Sequence, residues 1–320
     1  MTMAGHDEAW REWRTAMASS RMHHGWILSG LRGIGKGSFA LSAAAELVAE
    51  AEISQPKPTA HPDIITLEHL PANDDEEKKR AEGKPFQTKR NITIDQIRRM
   101  QQRLVTRPTL GSRRVIIINP ADDMEKNAVN ALLKSLEEPP IGTFFLLVAH
   151  RPGRLLPTIR SRCRVLRFAP LNPAAMEEIL LREAPQADAA TRAAAAAAAD
   201  GSPGAALEFV GQELGALHKL MLRLLHEGDE SFALRGALAG EIGARPDRER
   251  MQASVELARA VLAAELAAAG PERQGRIIEA HSALVQLGGQ LPTYNFDPGL
   301  VVMEIGGLLA SAAAPRETTA

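Results

Sequence analysis

The chain reads as an α/β domain with a parallel sheet, followed by a region built from helices alone. Three observations predict this. Strand and helix signals alternate through the first half, the pattern of a parallel sheet covered by helices. The strand signals are continuous apolar runs, as in Val115-Ile116-Ile117-Ile118, which suits strands buried on both faces. From Pro170 onward the strand signals vanish.

The elements follow in order. Trp26-Ile27-Leu28 is a short strand, then comes a glycine-rich turn from Gly30 to Gly37, then an alanine-rich helix with Phe39, Ala40 and Leu41. Ile64 to Leu67 is the next strand. Asn73 to Arg90 mixes charges without an apolar period and reads as a solvated loop. Asp95 is placed to cap a helix whose Ile97, Met100 and Leu104 share one face. A helix starting near Asp123 carries Val129, Leu132, Leu133 and Leu136 at helical spacing and stops at Pro139-Pro140. Phe144 to Val148 is another buried strand, and Val165 to Phe168 the last.

The helical region opens at Asn172-Pro173, an N-cap with proline in the first helical position. An alanine-rich helix ends at Asp200-Gly201, and Ser202-Pro203 starts another. Leu217, Leu220, Met221, Leu224 and Leu225 share a face, as do Met251, Val255 and Leu262. Asp297-Pro298 begins a final helix with Val301, Val302, Ile305 and Leu308. The boundaries fall near 169 and 212, giving domains 1–169, 170–212 and 213–320.

Composition narrows the function. A chain of 320 residues is long enough for two or three cored domains. A net charge of −1 supplies no whole-protein attraction to nucleic acid. The single cysteine, Cys163, excludes an internal disulfide and fits a reducing compartment. Met1 to Arg14 lacks the apolar core of a signal peptide, and no stretch is apolar enough to cross a membrane. A cytoplasmic protein is expected.

The glycine turn is a phosphate-binding outline with its metal ligand missing. Gly30, Gly35 and Lys36 lie between a strand and a helix N-terminus, where backbone N–H groups cradle phosphates. The Walker pattern needs Ser or Thr directly after the lysine to bind magnesium. Here Gly37 takes that place and Ser38 comes one residue late. At the end of the Val115–Ile118 strand, ATPases of this kind carry a magnesium-binding Asp and often a Glu. This chain has Asn119 and Pro120, and neither does that chemistry. Asp122 and Asp123 follow but read as N-cap candidates.

Together these segments resemble the bacterial DNA polymerase III clamp-loader family. Asn130-Ala131-Leu132-Leu133-Lys134-Ser135-Leu136-Glu137-Glu138-Pro139-Pro140 is similar to the helix after that family's Walker B strand. Ser161-Arg162-Cys163, reached through Leu156-Pro157-Thr158-Ile159, resembles its SRC motif. With Gly201-Ser202-Pro203-Gly204, these motifs span most of the first 212 residues.

The resemblance implies a RecA-like AAA+ domain, a small helical lid and a helical collar that closes a pentameric ring. Active members carry a nucleotide-sensing arginine where this chain has Gly204. They carry a sensor threonine where it has Ala149-His150-Arg151. The implied relative is therefore a member that does not hydrolyse ATP. Its Arg162, flanked by Ser161 and Cys163, is implied to reach the γ-phosphate of ATP on a neighbouring subunit. A guanidinium suits that task because it is always charged and forks onto phosphate oxygens.

Implied partners are the delta and gamma/tau ATPase subunits and, through the complex, the sliding clamp and primed DNA. Many members hold a four-cysteine zinc module before His61-Pro62-Asp63. The stretch 49–60 has no cysteine, so no zinc and no other metal is expected. ATP binding is not expected either.

Plainer readings stand beside these. Lys36 reads as a vestige in a turn that closes a strand-to-helix connection. Arg162 has the alternative of a surface arginine clustered with Arg160, Arg164 and Arg167. Cys163 reads as a small buried hydrophobe. Arg98, Arg99, Arg103, Arg107, Arg113 and Arg114 read as solvated faces rather than a DNA surface. Two functions remain open. One is a non-catalytic clamp-loader subunit. The other is a self-contained AAA+ ATPase with an atypical Walker B that uses Ser38 for magnesium.

Overall fold

The structure, a computed structural model, describes residues 5–313 apart from 20, 51, 52, 292, 293 and 295. The first four residues of the polar N-terminal stretch, and two residues of the cysteine-free stretch 49–60, lie outside them. The chain divides into two compact units, Met1–Pro170 and Leu171–Ala320.

In the first unit the elements are α1 (Asp7–Ala18), β1 (Gly25–Ser29), α2 (Lys36–Val48), β2 (Ile64–Leu67), α3 (Asp74–Ala81), α4 (Ile94–Leu104), β3 (Arg114–Ile118), α5 (Lys126–Glu137), β4 (Thr143–Ala149), α6 (Pro157–Arg160) and β5 (Arg164–Arg167). The five strands form one sheet in the order β2-β3-β4-β1-β5. Every pairing is parallel, with Trp26 opposite both Leu146 and Arg164.

Alternation along each strand divides its apolar side chains between two cores. Ile27, Ile116, Ile118, Phe145 and Leu147 face α4 and α5. Trp26, Leu28, Val115, Ile117, Leu146 and Val148 face α1 and α2, where Trp13 and Phe39 fill the space. This two-sided burial is why the strands read as unbroken apolar runs.

The second unit is helical: α7 (Pro173–Glu183), α8 (Ala189–Ala198), α9 (Pro203–Gly211), α10 (Gly215–Glu227), α11 (Ala233–Ile242), α12 (Arg248–Leu266), α13 (Pro271–Gln290) and α14 (Pro298–Ser311). Asn172, Ser202 and Asp297 cap their helices through side-chain oxygens, as their sequence context predicts. No helix among the described residues is long and apolar enough to cross a membrane.

Several expectations need correction. The segment 73–90 contains a helix, α3, which no apolar period announces because charge patterning builds it. Asn73 accepts from the Glu76 N–H, four acidic residues fill the first turn, and Lys78, Lys79 and Arg80 fill the last. Each sign thus meets the favourable end of the helix dipole. Glu76 is buried, pairs with Lys79 at 2.7 Å and accepts from the Gln87 N–H at 2.6 Å.

Asp95 does not cap α4. Thr93 does, with Gln96 completing a capping box. Helix α5 begins at Lys126, three residues beyond Asp123, and neither Asp122 nor Asp123 is its cap.

Arg114 is no solvated arginine. It is 3% exposed and donates to the carbonyls of Arg103, Thr106 and Arg107. It also lies 3.5 Å from Asp63, whose carboxylate accepts from the Thr109 and Leu110 N–H groups. A buried guanidinium thus organises the loop from α4 into β3.

Candidate functional site

The candidate residues of the first unit gather in two places, at opposite ends of β1. At its C-terminal end the chain enters the glycine turn. Gly33 and Gly35 have φ of 77° and 103°, a left-handed backbone that glycine adopts without strain. Gly30 is required for another reason. A Cβ there would meet the Phe168 carbonyl oxygen at 2.6 Å, because β5 leads Phe168 directly over the turn.

Lys36, the first residue of α2, is 2% exposed. Its ammonium donates to the carbonyls of Gly30 at 2.7 Å and Leu31 at 2.5 Å. Two of its three donors are thus turned onto its own turn. Burial pulls its pKa down from 10.5 to about 8, against an opposing pull from Asp122.

Gly37 and Asn119 fit one another. A Cβ at residue 37 would stand 3.0 Å from Asn119 Nδ2. The missing hydroxyl after the lysine and the missing carboxylate at the end of β3 are therefore neighbours in space. The Asn119–Pro120 peptide is cis. Ser38 is exposed.

Three side chains complete this end. His6, 4% exposed, lies with Nε2 2.6 Å from the Ile34 carbonyl. A carbonyl only accepts, so Nε2 carries the proton, and burial pushes the ring's pKa down. The ring also meets Phe168 edge-on at 5.0 Å. Asp122 accepts from the His150 and Arg151 N–H groups at 2.8 to 3.2 Å, tying the end of β3 to the end of β4. His150 is pushed down to about 4, by burial first and by Lys36 next. Asp123 lies 3.4 Å from His69.

Sequence reasoning assigned neither His6 nor Asp122 to this end. A lone histidine before a helix carries no signal of what it will touch, and an aspartate near a helix start is ambiguous until the backbone is known.

The second place is the N-terminal end of the same strand. Because β5 runs parallel to β1 and starts beside Trp26, the residues before it gather at the sheet's opposite end. Arg162 sits on the corner between α6 and β5. Its Nη1 donates to the Thr158 carbonyl at 2.9 Å and to Ser161 Oγ at 3.3 Å. Its Nη2 lies 2.7 Å from Glu137 Oε1, and its side chain remains 35% exposed.

Cys163 packs inward against the α4/α5 core. A Cβ at Gly25 would meet its Sγ at 2.9 Å. Burial pushes the thiol up to about 12, which removes it as a nucleophile near neutral pH.

The neighbouring arginines differ from Arg162. Arg164 lies over the Trp26 ring at 5.1 Å and 3.8 Å from Glu12, while Arg160 is exposed at the end of α6. β1 has five residues, so its ends are roughly 16 Å apart at about 3.3 Å per residue. The structure therefore gathers Gly30, Gly35, Lys36, Gly37, Asn119 and Pro120 at one end, and Ser161, Arg162 and Cys163 at the other. Gly204 lies in the second unit, in the first turn of α9 behind the Ser202 cap.

Comparison with known proteins bears on these arrangements. The family model described as DNA polymerase III, delta subunit, matches residues 5–172. The chain is 34% identical to DNA polymerase III subunit delta' of Pseudomonas aeruginosa, over 62% of this chain and 60% of that protein. It is 40% identical to subunit delta' of Escherichia coli, over 38% of this chain and 36% of that protein. It is 30% identical to subunit gamma/tau of Mycobacterium tuberculosis, over 52% and 28% respectively. The matches thus span at most about 60% of the length of these relatives. Since the family model covers more than half of the sequence and two delta' relatives are 34% and 40% identical over the stretches they match, the chain belongs to the delta-prime family of DNA polymerase III clamp-loader subunits.

Proposed function

We propose that the chain acts as a non-catalytic clamp-loader subunit that places Arg162 against the γ-phosphate of ATP held by a neighbouring subunit. One observation carries the reading. Arg162 and Lys36 stand at opposite ends of the sheet, separated by the length of β1. A guanidinium at one end does not reach a phosphate cradled at the other, which supports a phosphate supplied by another subunit.

The glycine turn supports the same reading. Lys36 is spent on the Gly30 and Leu31 carbonyls. Gly37 and Asn119 together offer magnesium no hydroxyl and no carboxylate, and Pro120 contributes no side-chain donor; in the second unit the first turn of α9 carries Gly204 and no arginine. The turn then works as a strand-to-helix connection, closed by Phe168 and His6, and holds no ATP. The cysteine-free stretch 49–60 supports a chain without zinc.

The proposed partners are the delta and gamma/tau-type ATPase subunits. Through them the chain contributes to loading a sliding clamp onto primed DNA in the cytoplasm. The experiment is steady-state ATP hydrolysis with magnesium, first by the purified chain and then by the chain reconstituted with those subunits. The chain alone should turn over no faster than its Lys36→Ala variant, while stimulated hydrolysis by the complex should depend on its presence. Turnover by the isolated chain well above the Lys36→Ala control would contradict the proposal.

A further inference from the structure

We infer that Glu137 is the positioning residue for Arg162, holding the guanidinium ready for a phosphate on another subunit. The inference rests on the proposed role of Arg162 and adds a residue to it.

The observations concern which donors are used and where the acceptors come from. Arg162 has five N–H groups. Both on Nη1 face acceptors of its own corner, Thr158 O and Ser161 Oγ, and Ser161 Oγ is itself tied to Thr158 O at 3.1 Å. Glu137 approaches Nη2 at 2.7 Å from a different element, the last residue of α5. With Nη1 donating to its own corner and Glu137 meeting Nη2 as an ion pair, Nε and Nη2 are the nitrogens placed to donate to phosphate oxygens.

Glu137 is itself well anchored. The Leu136 carbonyl beside it lies 2.8 Å from His24 Nε2, just before β1, and Leu136 is buried in the core. The C-terminal end of a helix also carries partial negative charge. Carboxylate and dipole therefore draw the guanidinium to one spot.

The physical consequence is pre-organisation. A free arginine side chain loses much rotamer freedom when it docks. One already held at three points has lost it before the neighbour's ATP arrives. The carboxylate also partly offsets the positive charge, which works against phosphate affinity. The structure favours geometry as the larger effect, because about half of the Glu137 side chain faces solvent and its charge is screened there.

The test uses the reconstituted complex and compares Glu137→Ala, Glu137→Gln, Arg162→Ala and the double variant Glu137→Ala/Arg162→Ala. Thermal melts verify that each variant chain is folded. Misplacing a reacting group costs up to roughly 10²-fold at its own site. Glu137→Ala should therefore lower kcat of the stimulated hydrolysis partially, since one site among several is affected, with little change in KM for ATP. Glu137→Gln keeps an acceptor oxygen of the same reach and should restore most of the rate. In the Arg162→Ala background, Glu137→Ala should have no further effect.

Unchanged or faster hydrolysis by Glu137→Ala would overturn the inference, and so would Glu137→Gln behaving like Glu137→Ala. An added loss in the Arg162→Ala background would do the same, because Glu137 would then act elsewhere. If Arg162→Ala itself left hydrolysis unchanged, the arginine's proposed role would fail. That result is distinct from one in which Arg162→Ala is impaired and Glu137→Ala is not, which removes only the positioning role.

Discussion

At the scale of single residues, Gly30 and Lys36 match a phosphate-binding outline and also have packing reasons of their own. Gly30 lacks room for a side chain because Phe168 passes over it. Lys36 stays buried because two carbonyls of its own turn accept hydrogen bonds from its ammonium. The lysine makes a pH-dependent prediction. Its folded pKa is about 8 against an ordinary 10.5, so between those values the unfolded chain holds a proton that the folded chain has released. Stability rises with pH wherever the unfolded state binds more protons. Lys36 should therefore add to the free energy of unfolding as pH climbs from about 8 towards 10.5. Lys36→Met should flatten that rise, as read by chemical denaturation of both proteins across the window. Identical slopes for the two would show that the burial penalty on Lys36 is absent. The glycine turn was legible in the sequence because Gly30, Gly35 and Lys36 keep a fixed spacing and Gly37 departs from it. The hold of Glu137 on Arg162 was not, since the two are 25 positions apart and meet only when β5 pairs with β1.

At the scale of elements, the legible ones announced themselves through apolar period or through a cap. The buried strands and the helices opened by Asn172, Ser202 and Asp297 belong to this class. Helix α3 was illegible to apolar period because only Glu76 of its eight residues is buried. Its order runs through Asn73 and the Glu76 carboxylate, which accepts from the Gln87 N–H in the segment that follows the helix. Asn73→Ala should remove one cap, a loss of roughly 0.5–2 kcal/mol for such caps. The amides of residues 76–82 should then exchange faster while those of β3 keep their protection. Unchanged exchange across α3 would mean that its charge pairs suffice without the cap. The misplaced start of α4 was a different kind of miss. Thr93 and Gln96 stand at capping-box spacing, so the signal was present and Asp95 drew attention from it. Arg114 illustrates the limit of charge counting. The sequence marks it as basic, and only the packing reveals that its guanidinium is enclosed by loop carbonyls.

At the scale of the whole molecule, the sheet and both of its cores lie within Met1–Pro170. That unit therefore contains what it needs to fold alone, and it also contains Arg162. A fragment ending at Pro170 should unfold cooperatively in denaturant, with a core-like near-ultraviolet signal from Trp13 and Trp26. A non-cooperative transition would contradict the division. Near neutral charge and one cysteine narrowed the field without choosing a function. The choice came from motifs in order along the chain. The central claim is that Arg162 acts on a neighbour's ATP, and it is tested most directly by stimulated ATP hydrolysis of the reconstituted complex carrying Arg162→Ala, Arg162→Lys, Arg160→Ala or Arg164→Ala. Arginine fingers are worth roughly 10³–10⁵ in rate at their own site, so Arg162→Ala should silence one site and lower the bulk rate partially. Arg162→Lys should rescue poorly, because an ammonium keeps the charge without the fork, and the other two variants should stay near the unmodified rate. An equal loss in all of them would mark a general basic patch and contradict the account.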